Sequence, residues 1–210
     1  MAQILKTSVK DQIVASATDE LLKYGLKDSS MRRIAKNAEC TVGNLYRYFK
    51  SKEEMIGFII DPTFERINQS LRSLTNDGVV IGKDDIDVSI LSNEHIIPIL
   101  DRLSEDLVKI YEENKKIMKI VMMYSSVNVY VKEWFAKLIY KLFEKQNLIV
   151  NQADERKCLA LANAYSTSII EGVRECFMNN ELTNEELTVV VKAYFRSFIA
   201  FMNMQEGAMK

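Results

Sequence analysis

The scarcity of turn-forming residues is the feature that most constrains the fold of this chain. Only 7 glycines and 2 prolines occur among 210 residues, whereas average usage would give roughly 25. Sandwiches and barrels need many tight turns, so this scarcity argues against all-β folds and favours long helices. An apolar content of 48% is enough for a packed core and excludes a disordered chain.

The cysteines and the N-terminus indicate a reducing environment. Cys40, Cys158 and Cys176 are odd in number and far apart, which fits free thiols better than a disulfide framework. The N-terminus has no apolar core of signal-peptide length, and no charge-free stretch is long enough to span a bilayer. We therefore expect a cytoplasmic protein.

The only histidine indicates neither a metal site nor a catalytic triad. His95 has no cysteine or acid at ligand spacing. Three aspartates, at 84, 85 and 87, lack the spacing of a calcium loop. We expect no metal, no catalytic residues and no cofactor.

Charge becomes informative when the chain is divided. The net charge is −1, but residues 1–54 hold 10 Lys or Arg against 7 Asp or Glu, a net of +3, and residues 55–210 hold 18 against 22, a net of −4. Within residues 31–52, Glu39 is the only acid among six basic side chains: Arg32, Arg33, Lys36, Arg47, Lys50 and Lys52. This pattern indicates that residues 1–54 form a head that binds a polyanion, although a solvated charged face is an open alternative.

Hydrophobic periodicity predicts about nine helices and no convincing strand. The first helix is predicted at residues 10–24, with Ile13, Ala17 and Leu21 as its apolar stripe and Gly25 as a left-handed C-cap. Two short helices follow at residues 31–38 and 42–48. We expect Ser30 or Ser29 to cap the former and Thr41 the latter.

A longer helix is predicted from Ser51, where Ser51 and Glu54 form a capping box and Pro62 is expected to kink or interrupt the pattern. Residues 75–93 are predicted as a loop. The later helices are predicted at about residues 93–119 (with a break near Asn114), 117–124, 128–146, 153–178 and 184–204.

The two short helices meet the requirements of a helix-turn-helix. One helix must enter a DNA major groove about 12 Å wide while its partner braces it across the backbone. The helix at residues 31–38 would brace its partner across the DNA backbone, and the helix at residues 42–48 would contact the bases. Glu39-Cys40-Thr41 would form the turn between them.

These residues also resemble a known family. The stretches Ser30–Ala35, Ala38–Phe49 and Ser51–Met55, with a first helix ending in Tyr24-Gly25, are similar to the DNA-binding domain of TetR-family transcriptional regulators. The resemblance covers about residues 8–60, and the remainder is similar only in helical character and length. The family often has glycine where Glu39 stands, and a left-handed conformation costs a non-glycine residue about 1 kcal/mol.

The resemblance implies a fold and a function. The fold would be all-α, with a three-helix DNA-binding domain at residues 1–54 and a helical bundle for ligand binding and dimerisation at residues 55–210. The function would be that of a homodimeric repressor, not an enzyme, released from a near-palindromic operator by a small effector. The expected DNA contacts are Ser30, Arg32, Thr41, Val42, Gly43, Asn44, Tyr46, Arg47, Tyr48 and Lys52.

The body supplies candidates for an effector site and a dimer interface. Methionine and aromatic side chains suit an adaptable pocket for an apolar or aromatic effector, with ordinary core as the alternative. The effector candidates are Met118, Met122, Met123, Tyr124, Tyr130, Trp134 and Tyr165. Small and aromatic residues on the last two helices suit self-association, with an intramolecular core as the alternative. The interface candidates are Tyr165, Ile169, Val173, Phe177, Tyr194, Phe198 and Phe201.

Two other functions stay open at this point. An all-helical enzyme acting on small molecules would need a convergent acid and base set, which the sequence does not show. A helical adaptor whose head binds protein would show a flat salt dependence in nucleic-acid binding, whereas a DNA-binding protein shows a steep one.

Overall fold

The computed structural model describes residues 2–76, 93–123, 127–145, 147, 149 and 151–204. Nine helices form the regular structure of these residues, which confirms the all-α prediction. They are α1 (Ala2–Asp28), α2 (Met31–Asn37), α3 (Val42–Tyr48), α4 (Lys52–Asn76), α5 (Asn93–Glu113), α6 (Lys115–Met123), α7 (Val127–Lys145), α8 (Gln152–Met178) and α9 (Asn184–Met204). Most of the predicted 75–93 loop, with its three aspartates, lies outside the described residues.

The chain forms two compact units. The first comprises Met1–Arg66 and Glu113–Tyr124, and the second comprises Ile67–Glu112 and Ser125–Lys210. The first unit contains the segment predicted to bind DNA, together with α6 from later in the chain. No helix among the described residues is long and apolar enough to cross a membrane.

The first unit is built on the apolar stripe of α1. Ile13, Ala17 and Leu21 recur every four residues and are fully or almost fully buried, as the periodicity predicted. α1 packs against α2 and α6, and α2 packs against α3. Inner residues of the short helices and the residue after α3 are also buried, namely Ile34, Ala35, Leu45 and Phe49.

Gly25 interrupts α1 near its C-terminal end. Its φ of 74° confirms the predicted positive φ, but its ψ of 178° is extended and not left-handed helical. Helical structure then resumes as far as Asp28. A Cβ at Gly25 would meet no atom within 4 Å, so the backbone conformation, and not space, favours glycine here.

The start of α4 confirms the predicted pairing of Ser51 with Glu54, although the return bond from Glu54 reaches the residue before the cap and not the cap itself. The Ser51 hydroxyl accepts from the Glu54 N–H at 3.1 Å, and the Glu54 carboxylate accepts from the Lys50 N–H at 2.7 Å. The helix continues through Pro62 to Asn76, so the interruption considered at Pro62 does not occur. Proline removes one backbone donor, and the long apolar face of α4 holds the remaining turns in place.

The second unit contains a close contact between α8 and α9. The Tyr194 hydroxyl donates to the Ser168 carbonyl at 2.7 Å, and a Cβ at Gly172 would lie 2.1 Å from that hydroxyl. Glycine at this position therefore allows the tyrosine to cross α8. α7 packs against α8 as well, and Phe135 of α7 stacks on Phe195 of α9 with ring centroids 5.9 Å apart.

A buried carboxylate joins α1 to the start of α2. Glu20 is 3% exposed and accepts from the Ser30 N–H at 3.0 Å and from Arg33 Nε at 2.6 Å. Arg33 also donates to the Asp28 carbonyl and lies over the Tyr24 ring at 4.3 Å. Because a buried charge is tolerated only when it is paired and hydrogen-bonded, this arrangement fixes where α2 begins.

The adjacent acids Glu20 and Asp19 provide a test of this interpretation. We expect Glu20→Gln to lower the free energy of unfolding by about 1 to 3 kcal/mol, because it weakens charge-assisted hydrogen bonds to a buried acceptor. Asp19 pairs with Lys116 at 2.6 Å, but the two side chains are 65% and 63% exposed, so Asp19→Asn should cost less than about 0.5 kcal/mol. Urea denaturation measures both, and equal losses would contradict the assignment.

Candidate nucleic-acid interface

The turn between the two short helices has a defined left-handed geometry. The Cys40 N–H donates to the Ala35 carbonyl at 3.0 Å, and the Glu39 N–H donates to the Lys36 carbonyl at 3.2 Å. These two bonds form a Schellman motif that closes α2. Glu39 occupies the left-handed position of this motif with a φ of 53°. The turn therefore has the Schellman geometry although a glutamate occupies the position at which glycine is favoured.

α3 begins at the predicted cap. The Thr41 hydroxyl accepts from the Asn44 N–H at 3.1 Å, which satisfies one of the free donors at the helix start. Leu45 and Phe49 anchor α3 in the core, and Tyr46 on the opposite side is 47% exposed. Burial of one face therefore presents the other face of α3 to solvent.

All ten predicted DNA contacts lie at the surface of the first unit. Five are exposed and the other five are partly exposed, and none is buried. The side chains of Arg32, Tyr46, Arg47 and Tyr48 make no hydrogen bond or ion pair with any described residue. Ser30 occupies the N-cap position of α2, but its side chain makes no capping bond. The donors of these residues are available to an external partner.

Gly43 lies in the first turn of α3, and the fold does not require glycine there. A Cβ at this position would meet no atom within 4 Å, and the residue has no positive φ. Glycine makes a helix less stable than alanine does at the same position. Its presence is explained if an external surface approaches the backbone at this point.

Lys52 has a structural contact that sequence reasoning missed. Its Nζ donates to the Lys27 and Ser29 carbonyls, both at 3.1 Å. An ammonium group has three donors, so one is left for a phosphate. Sequence gave no signal for this contact, because both acceptors are backbone carbonyls more than 20 residues away.

The predicted effector residues fall in both units. Met118 is buried in α6 of the first unit, and Met122 and Met123 are partly exposed. Trp134 is buried in α7 of the second unit, and its indole N–H has no acceptor among the described residues. Tyr165 of α8 contacts the rings of Phe143 and Phe198. Tyr124 lies outside the described residues, as does the side chain of Tyr130.

The predicted interface residues divide by burial. Ile169, Val173 and Phe177 are buried within the second unit, where Phe177 meets the Tyr111 ring edge-on at 5.3 Å. These three side chains form the intramolecular core that was the alternative interpretation. Tyr165, Tyr194 and Phe198 are partly exposed, and the Phe201 side chain lies outside the described residues.

The cysteines are free thiols, as predicted. Burial raises the pKa of Cys40, Cys158 and Cys176 above the ordinary thiol value, which favours the protonated thiol at each position. Across the described ranges, no three His, Cys, Asp or Glu side chains come together in a way that could hold a metal ion.

Comparisons with known proteins match the same region. The profile described as bacterial regulatory proteins, tetR family, matches residues 13–57. A helix-turn-helix regulator of Haemophilus influenzae is 44% identical over 52 residues, covering 24% of this chain and 27% of that protein. The probable regulator YttP of Bacillus subtilis is 29% identical over 73 residues, covering 35% of each chain. The matches thus span about a quarter to a third of these relatives.

Solved structures extend the similarity of fold to nearly the whole chain. A TetR-like regulator from Rhodococcus sp. RHA1 covers 91% of this chain and 96% of its own length, with a TM-score of 0.53 and 18% identity. A TetR-family regulator from Chloroflexus aurantiacus covers 93% and 90%, with a TM-score of 0.52 and 14% identity.

The geometry and the comparisons together define a helix-turn-helix protein with a TetR-like, all-helical fold. Residues 13–57 are thus similar to the DNA-binding segment of bacterial regulatory proteins of the tetR family, and the fold of nearly the whole chain is similar to that of solved TetR-type regulators.

The left-handed turn gives a prediction for stability. Glu39→Gly should raise the free energy of unfolding by about 1 kcal/mol, because glycine adopts a positive φ without Cβ strain. Glu39→Gln keeps the strain and should leave stability nearly unchanged. Chemical denaturation of both variants makes the comparison. A Glu39→Gly protein no more stable than Glu39→Gln would show that the turn is not strained in solution.

Proposed function

We propose that this protein is a homodimeric repressor that binds a near-palindromic operator through residues 1–54 and leaves it when a small molecule binds within residues 55–210. The observation that carries the proposal is the exposed surface of α2, α3 and the start of α4. It presents the side chains of Arg32, Tyr46, Arg47 and Tyr48, which make no hydrogen bond or ion pair with any described residue, and one remaining donor of Lys52, on a scaffold held by a buried core.

The surface divides into groups that position the protein and groups that read bases. Hydroxyls of Tyr46 and Tyr48, the Arg32 guanidinium and the remaining Lys52 donor suit phosphates, which fix register without reading sequence. Ser30, at the start of α2, suits a phosphate or a base edge. Asn44 and Arg47 suit adenine and guanine edges in the major groove.

Thr41, Val42 and Gly43 place the first turn of α3 against the groove. Thr41 holds that turn in shape through its cap, Val42 offers an apolar contact to a thymine methyl group, and Gly43 lets the backbone approach closely.

Dimerisation would supply the second reading head. Half-sites on one face of DNA lie about 34 Å apart, which requires two copies of the chain. Apolar side chains exposed on α8 and α9 support an interface there: Leu159, Val189 and Val190 are exposed, and Tyr165, Tyr194 and Phe198 are partly exposed.

The chemistry of an effector is suggested by Trp134. Its side chain is 4% exposed among aromatic neighbours, and its N–H has no described acceptor. A buried donor without a partner costs about 1 to 3 kcal/mol. An apolar or aromatic molecule that carries one hydrogen-bond acceptor would complement this position.

A DNA-binding measurement tests the proposal directly. We expect the protein to bind the duplex upstream of its own gene as a dimer, with an affinity that falls steeply between about 50 and 200 mM salt. Gly43→Ala should fold normally and weaken this binding by roughly tenfold, since the added methyl lies where the groove approaches. Fluorescence anisotropy gives the affinity, and analytical ultracentrifugation gives the number of chains per duplex.

The control is Gly57→Ala, the same substitution in α4, where the nearest atom to a new Cβ belongs to the side chain of Asp61 at 3.2 Å. It should leave DNA affinity unchanged. A flat salt dependence in the wild-type protein, with no selective duplex, would instead favour the adaptor function.

An effector measurement uses the only tryptophan of the chain. We expect benzamide and benzoate, which carry an acceptor, to change Trp134 emission and to weaken DNA binding, and toluene to do so less. The Trp134→Phe protein should lose the preference for acceptor-bearing compounds in the DNA-binding assay. Equal effects of toluene and benzamide would contradict an anchoring bond from the indole.

A further inference from the structure

Glu39 combines an unfavourable backbone conformation with a charge that the fold does not use. Its φ is 53°, and both bonds of the turn involve backbone atoms only. Its exposed carboxylate makes no hydrogen bond or ion pair with any described residue. Residues that break a local rule without stabilising the structure are found at functional positions.

The carboxylate lies in a groove shared with the predicted base-reading side chains. Glu39, Thr41, Asn44 and Arg47 line this groove, which has a volume of about 490 Å³. Arg47 is also without an ion pair in the described part of the chain, so the two opposite charges share the groove without neutralising each other. A molecule that binds in this groove would therefore contact Glu39.

An ionised carboxylate can only accept hydrogen bonds. Phosphates and the guanine O6 and N7 atoms are acceptors too, so they are repelled. Two bases present an amino donor in the major groove, cytosine at N4 and adenine at N6, but the adenine donor lies beside the N7 acceptor, which repels a carboxylate. Glutamate therefore disfavours most DNA surfaces and favours a base pair that presents cytosine N4.

We propose that Glu39 is a specificity-determining residue of the DNA-binding head, which selects a cytosine at one position of each half-site and lowers affinity for unrelated DNA. The proposal rests on the proposed function and adds a residue to it. Discrimination arises as much from rejecting wrong sequences as from contacting the right one.

The experiment compares binding-site profiles of the full-length protein, selected from a randomised duplex library, for the wild type and three variants. Glu39→Gln removes the charge and keeps the left-handed strain. Glu39→Gly removes both. Asp61→Asn makes the same change of charge in α4, where Asp61 does not line the groove and makes no ion pair with any described residue. Thermal unfolding establishes that each variant is folded.

The expected result is loss of the cytosine preference by roughly tenfold at one symmetric pair of positions in both Glu39 variants. Their affinity for an unrelated duplex should rise by about fivefold, the effect of removing one like charge near phosphate in water. Asp61→Asn should change neither quantity.

Three results would overturn the proposal while leaving DNA binding intact: an unchanged profile in Glu39→Gln, a change in Glu39→Gly alone, which would assign the effect to the backbone, or an equal change in Asp61→Asn, which would assign it to net charge. A wild-type protein that selects no sequence from the library would overturn the proposed function and this proposal with it.

Discussion

The geometry of the helix-turn-helix depends on the buried carboxylate of Glu20. A carboxylate removed from water must be compensated by hydrogen bonds and an opposite charge, and few arrangements supply both. Here the Ser30 N–H and the Arg33 guanidinium supply them. Because these donors lie in and beside the first turn of α2, the bonds fix the position of α2 against α1. α3 then follows through the closed turn at Glu39.

A second set of bonds holds the same junction from the other side. The Lys52 ammonium group binds two carbonyls in the segment that leaves α1, and Arg33 binds a third at Asp28. Two of the six basic side chains in the segment from 31 to 52 are thus occupied within the fold. A count of positive charges therefore overstates how many are free to meet an external partner. The four of these side chains that make no ion pair with a described residue are Arg32, Lys36, Arg47 and Lys50.

Local features of the fold could be predicted from sequence, because periodicity and capping involve neighbours along the chain. The stripe of α1, the cap at Thr41 and the box at Ser51 and Glu54 were found in this way. The left-handed conformation of Glu39 was not predicted, because a glutamate in place of the glycine common in the family left the shape of the turn open.

Contacts between distant residues could not be predicted, because no sequence pattern encodes them. Lys116 and Asp19 are 97 residues apart, and nothing in either neighbourhood indicates that α6 joins the head. Sequence is limited in the same way for α8, because its apolar pattern fits an intramolecular core and a surface for a partner chain equally well. Only the packing of Phe177 and its neighbours shows which stripe faces inward. The residues proposed for DNA contact were accessible to sequence reasoning because they belong to one short segment.

The discontinuity of the first unit has a consequence for synthesis. A ribosome adds the chain at about 5 to 20 residues per second, and α6 ends at Met123, long after Arg66. The surface of α1 that packs against α6 therefore stays uncovered for roughly 3 to 11 seconds while the intervening residues are made. Throughout that interval the nascent chain carries the helix-turn-helix of the first unit without the helix that completes its packing on α1.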